Sequence, residues 1–109
     1  MAKKKQGQKF DQGKPTFDLL PDDALAAINK VLEFGANKYA ERNWEQGFEW
    51  RRAWNATFRH LWDWIRRKDI DDESGMPVLW HAGCEILFLI AFTLRDVGDD
   101  DRPPAPPEA

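Results

Sequence analysis

One cysteine in 109 residues, Cys84, excludes an internal disulfide and a cysteine-rich zinc site, and its place in an apolar run fits a reducing, cytoplasmic setting. Basic excess is lacking too. Sixteen Lys and Arg against nineteen Asp and Glu leave a net charge of −3, and beyond the first positions the basic residues are dispersed. The electrostatic footprint of a duplex-nucleic-acid binder is therefore missing. The Lys3-Lys4-Lys5 start runs into polar residues and not into an apolar segment, so no secretory signal is expected. The long apolar run, Val78 to Leu94, is short for a bilayer and is interrupted by His81 and Glu85. It predicts a buried helix and no membrane partner. β-Branched residues show no period-two alternation and no internal repeat is present, which leaves an all-α reading.

What is present suffices for one domain: 42% of the residues are hydrophobic. Residues 1–9 are basic and polar and read as a flexible start; 98–109 read as a disordered acidic, then proline-rich tail. The folded part spans 10–97. Pro21 with Asp22 and Asp23 signals a helix start, and Leu25, Ile28, Val31, Leu32, Gly35 and Tyr39 give a helical stripe to about Tyr39. A second helix, Trp50 to about Lys68, gathers Trp50, Ala53, Trp54, Thr57, Phe58, Leu61, Trp64 and Ile65 in one arc, with Arg52, Arg59 and Arg66 opposite. A third, about Met76 to Asp96, is apolar in every direction. Two neighbours leave part of such a helix open, so a compact three- to four-helix, bundle-like domain completed by homo-oligomerisation, as dimer or tetramer, is expected. Phe34, Trp62 and Trp80 lie off the main stripes and are candidates for that surface or for stacking on a base.

The chemistry-bearing residues concentrate between His60 and Glu85. His60, Asp63 and Arg67, at i, i+3 and i+7, line the border between the second helix's apolar arc and its polar face. His81 and Glu85 share one stripe of the apolar third helix, where each needs a partner: the other residue, or a metal. Between them, five of the seven residues from Asp69 to Gly75 are carboxylate or hydroxyl, a density that calls for water or a cation to relieve it. Asp72 or Ser74 is equally suited to capping the third helix. The twelve-residue EF-hand pattern is missing. Glu33, Asn37 and Glu41 form a polar line on the first helix if it persists that far, facing solvent or a metal or phosphate edge.

Lys9-Phe10-Asp11, Gly13-Lys14-Pro15, Asp18-Leu19-Leu20-Pro21, Phe34-Gly35-Ala36, Lys38-Tyr39, Asn43-Trp44, Arg59-His60-Leu61, Asp71, Glu73-Ser74-Gly75 and His81-Ala82 occur in this order. Together they resemble the phage-associated dATP/dGTP diphosphohydrolase N-terminal domain family, over nearly all of residues 9–94. The resemblance implies a helical, metal-dependent hydrolase that releases pyrophosphate from purine deoxynucleoside triphosphates and shapes a phage nucleotide pool in the host cytoplasm. All-α pyrophosphohydrolases of the MazG kind carry Glu-x-x-Glu and Glu-x-x-Asp pairs, and neither pair occurs here, so the metal site would have to differ.

On this reading Mg²⁺ or Mn²⁺ is held by Asp71 and Glu73, with Glu33, Asp63 or Glu85 as further ligands. His60 and His81 are the catalytic candidates, orienting water or phosphate. Lys14 and Lys38 neutralise the polyphosphate, and Asn43 and Trp44 complete substrate binding. Two alternatives stay open: a sponge-like protein that binds a nucleotide without cleaving it, and an inhibitor of a host protein.

Overall fold

A computed structural model of the chain describes residues 5–107. Lys3 and Lys4 of the basic start, and Glu108 and Ala109 of the tail, lie outside them. The architecture is all α, as the periodicity predicts: α1 spans Asp22–Lys38, α2 Trp50–Ile65 and α3 Val78–Arg95. Short 3-10 turns at Phe17–Leu19 and Asn43–Gln46 precede α1 and α2, and the described residues contain two isolated β-bridges but no strand.

Helix ends depart from the periodic reading by a few residues, each for a local reason. α1 stops at Lys38, so Glu41 leaves the line of Glu33 and Asn37. α2 stops at Ile65 because Lys68 and Arg66 fold back to the Asp63 carbonyl and Arg67 turns to a positive φ of 69°. Arg67 therefore does not share a face with His60. α3 starts after Pro77 with no side-chain cap, so neither Asp72 nor Ser74 caps it.

The start of α2 is satisfied from the other end of the chain. The Trp50 amide donates to the Asp99 carbonyl and the Arg51 amide to the Asp101 carboxylate, both at 2.9 Å. Two orphan helix donors thus find partners in Gly98–Arg102, the first part of the acidic segment. The crossing is close. Gly47 and Gly98 both have positive φ, and a Cβ on Gly98 would collide with the Phe48 carbonyl oxygen.

The core is small: Val31, Trp50, Ala53, Val78, Ala82, Cys84 and Phe92, with Thr57 bonded back to the Ala53 carbonyl. Trp44 stacks on Phe88 at 4.9 Å and Phe48 meets Phe92 edge-on at 5.1 Å, closing the end of the α2–α3 pair. Of the arc assigned to α2, Trp54, Phe58, Leu61, Trp64 and Ile65 remain exposed. α3 is likewise covered on only part of its circumference, not buried all round as its composition suggests.

Candidate functional site

The loop 66–77 is a built turn. Asp71 and Met76 pair through the backbone at 2.8 Å, the Val78 amide reaches the Asp69 carbonyl at 2.8 Å, and Gly75 supplies the positive φ. Inside the turn the Asp71 carboxylate accepts the Ser74 amide at 2.8 Å. The Ser74 hydroxyl accepts the Met76 amide at 3.1 Å and meets His81 Nε2 at 2.7 Å. The loop thus presents one carboxylate and one hydroxyl to α3. Its surplus charge is relieved by the protein's own cations: Lys38 at the end of α1 pairs with Glu73, and Lys68 pairs with Asp72.

His81 and His60 face each other from neighbouring helices, ring centroids 5.0 Å apart and planes 21° from parallel. Asp71 Oδ2 lies 3.8 Å from His81 Nε2. This is not a Ser-His-Asp relay, because serine and aspartate approach the same imidazole nitrogen and a relay requires both. His60 Nδ1 is the one buried side-chain polar atom among the described residues without a hydrogen-bond partner. Such an orphan calls for an explanation. Burial lowers the His60 pKa and the neighbouring His81 lowers it further, so the imidazole is held neutral. For Asp71, burial raises the pKa, but the Ser74 amide and hydroxyl and the two histidines outweigh it and the carboxyl stays below its ordinary value.

Glu85 is not the partner of His81. Burial pushes its carboxyl up to about 7, against the opposing pull of Arg59.

A family described as dATP/dGTP diphosphohydrolase, N-terminal, matches residues 4–102. The chain belongs to that family. A dATP/dGTP diphosphohydrolase of Salmonella phage PMBT28 is 33% identical over 96 residues, which cover 88% of this chain and 33% of the relative. The chain therefore spans about a third of that relative's length. No solved structure matches.

Against the sequence expectations, the fold brings His60, His81, Asp71 and Ser74 together, with Lys38 and Glu73 at the edge of the same turn. Ser74, offered by the sequence as a loop hydroxyl or a helix cap, instead reaches His81 seven residues on, a contact that only the folded turn creates. Glu33 accepts a hydrogen bond from Asn29. Asp63 lies near His60 on α2, its carbonyl closing the helix. Lys14 sits in the exposed N-terminal turn closed on the Asp11 carbonyl, and Asn43 opens the 3-10 turn before α2. Trp44 is engaged by Phe88 and Arg95. The five carboxylates proposed as ligands do not converge, and among the described residues no group of three or more His, Cys, Asp or Glu side chains is placed to hold a metal ion. The residues present therefore do not fit a resident all-protein metal cage.

Proposed function

We propose that this chain binds purine deoxynucleoside triphosphates, dATP and dGTP, and hydrolyses them to the monophosphate and pyrophosphate, biasing a phage nucleotide pool. The observation that carries this reading is the family match across residues 4–102, joined by a relative named for that activity. The His60–His81–Asp71–Ser74 cluster supplies chemistry suited to it.

Water attacks the α-phosphorus, the bond from that phosphorus to the α–β bridging oxygen breaks, and pyrophosphate leaves. His60, its pKa lowered by burial and by His81, is neutral and accepts the proton released by the attacking water. Ser74 and Asp71 hold the His81 ring, and His81 in turn fixes the His60 plane by stacking. Lys38, whose pKa is raised by its hydrogen bond to Glu73, stays charged and exchanges that carboxylate for a phosphate oxygen. Mg²⁺ or Mn²⁺ enters in this reading as part of the substrate, as the counterion of the triphosphate; such ions are commonly held mainly by phosphate oxygens and water.

The test is incubation of purified protein with dATP or dGTP and Mg²⁺ or Mn²⁺, followed by ion-exchange separation. Deoxynucleoside monophosphate and pyrophosphate in equal amounts are expected. Intact triphosphate after long incubation at high protein concentration would overturn hydrolysis, and unchanged nucleotide recovered with the protein would replace it by the sponge-like alternative.

A further inference from the structure

α3 has apolar residues around its whole circumference, yet α1 and α2 cover only part of it, burying Val78, Ala82, Cys84 and Phe92. The uncovered part lies on one side. On α2, Trp54, Phe58, Leu61, Trp62 and Ile65 recur at steps of three and four and are 40–64% exposed. Their rings form a ladder, Trp54 on Phe58 at 5.5 Å and Phe58 on Trp62 at 6.3 Å, each pair within 12° of parallel. On α3, Leu79, Ile86 and Thr93 repeat every seven residues with Ile90 beside them. Trp54, Leu89 and Thr93 line one cleft, so the two stripes border the same groove, whose end at Trp54 and Thr93 is also lined by Arg51 and by Asp100, Arg102 and residues 103–106 of the tail. The helices run antiparallel, with Trp50 bonded to the Val97 carbonyl at one end and His60 beside His81 further along. Phe58 and Trp62 therefore continue alongside Ile86 and Leu79.

We propose that this α2–α3 face is a homodimer interface, on which a second copy lays its own α2–α3 pair about a two-fold axis. Three observations favour a copy of the same chain. The half-exposed side chains of the two stripes offer on the order of 800 Å² of apolar surface, the area one partner contributes to a stable interface of standard size. None of the stripe residues is charged, and of the charged residues at the tail end of the groove Arg102 is paired with Asp100, so the stripes meet their own image without opposing like charges, as an isologous contact requires. Two helix pairs joined this way make a four-helix arrangement that covers the open side of α3. Trp62 belongs to this face, with Arg66 over its ring at the rim; Phe34 and Trp80 are half-buried elsewhere, Trp80 beneath Lys30. The proposal does not depend on the hydrolytic reading, because His60 points from a different side of α2.

Sedimentation velocity over roughly 1 to 100 µM protein is the test. A mass of two chains is expected, falling to one chain in Phe58→Glu and in Ile90→Glu with helical circular dichroism retained. Leu19→Glu, at a more exposed leucine in the N-terminal segment, should remain dimeric. Should either variant lose helix content, dilution of the unaltered protein decides: dissociation should red-shift tryptophan emission as Trp54 and Trp62 become hydrated. A single-chain mass at the highest concentration, an unshifted emission on dissociation, or dissociation by Leu19→Glu would overturn the proposal. So would flotation of a monomeric chain with phosphatidylcholine vesicles, which would assign the face to lipid, since α3 is long and apolar enough to cross a membrane.

Discussion

His60 stacks on His81 with ring centroids 5.0 Å apart, and the geometry leaves His60 Nδ1 buried without a partner while His81 is held by Ser74. Burial disfavours a charge on His60, and the neighbouring His81 adds to that penalty. A neutral imidazole is the form a general base needs at neutral pH.

Replacing His60 by Gln should lower kcat about 10²- to 10⁴-fold with a smaller change in KM, since the contribution is made as the proton moves. In the unaltered protein the rate should fall on acidification below the ordinary histidine range, because the lowered pKa keeps His60 neutral down to a lower pH. A pH–rate profile whose acid limb survives in His60→Gln would assign that limb to another group.

Asp71→Asn and Ser74→Ala should both loosen the turn that orients His81, each costing about 1 kcal/mol of stability for the weakened or lost hydrogen bond. Because the Asp71 pKa is lowered in the folded chain, its contribution is present above the ordinary carboxylate pKa and is lost as pH falls through the folded value. Urea unfolding at pH 7 and pH 3 should show the Asp71→Asn deficit at the first and a smaller one at the second.

Glu85 has the opposite sign. Its carboxyl is raised from 4.5 to about 7 by burial, so the folded state binds its proton more tightly and the advantage present below 4.5 is lost as pH rises through 7. Glu85→Gln should be near neutral at pH 4 and stabilising at pH 8, by up to about 3 kcal/mol, measured as the shift in urea midpoint. Equal stability of the two proteins at pH 8 would mean that the folded chain hydrates the carboxylate.

Gly98→Ala should destabilise by more than the roughly 1 kcal/mol that a positive φ alone imposes, because the added methyl meets the Phe48 carbonyl as well. Thermal unfolding checks it. The loss should undo the tail's contacts with Trp50 and Arg51, so truncation before Gly98 should lower the melting temperature in the same direction.

Chelation of Mg²⁺ and Mn²⁺ by EDTA should abolish triphosphate turnover while leaving the unfolding transition of the nucleotide-free protein in place, as expected if the ion travels with the substrate. A drop in melting temperature on chelation, reversed by added metal, would instead indicate a resident ion.

The helices were legible because their apolar residues recur at three- and four-residue steps, a pattern the backbone imposes within each segment. The motif blocks from Lys9 to Ala82 likewise carry the family in their own order, and the family match bears this out. Helix ends were less legible: Arg67 and Gly75 turn where hydrogen bonds from Lys68, Val78 and Gly75 close, and those partners are chosen by the folded loop. The acidic density of Asp69–Gly75 was plain in the chain, but what relieves it was not. Lys38 answers Glu73 from 35 residues away, a pairing no local spacing encodes.

Residue order alone thus determined three amphipathic or apolar helices, an acidic turn between the last two, and the family to which they belong, since these follow from local backbone preference and side-chain type. Tertiary structure decided which of the metal-capable residues meet. It set His60 against His81, turned Ser74 and not Glu85 toward that pair, and tied Asp99 and Asp101 to the start of α2, because each contact depends on how separate segments cross in space.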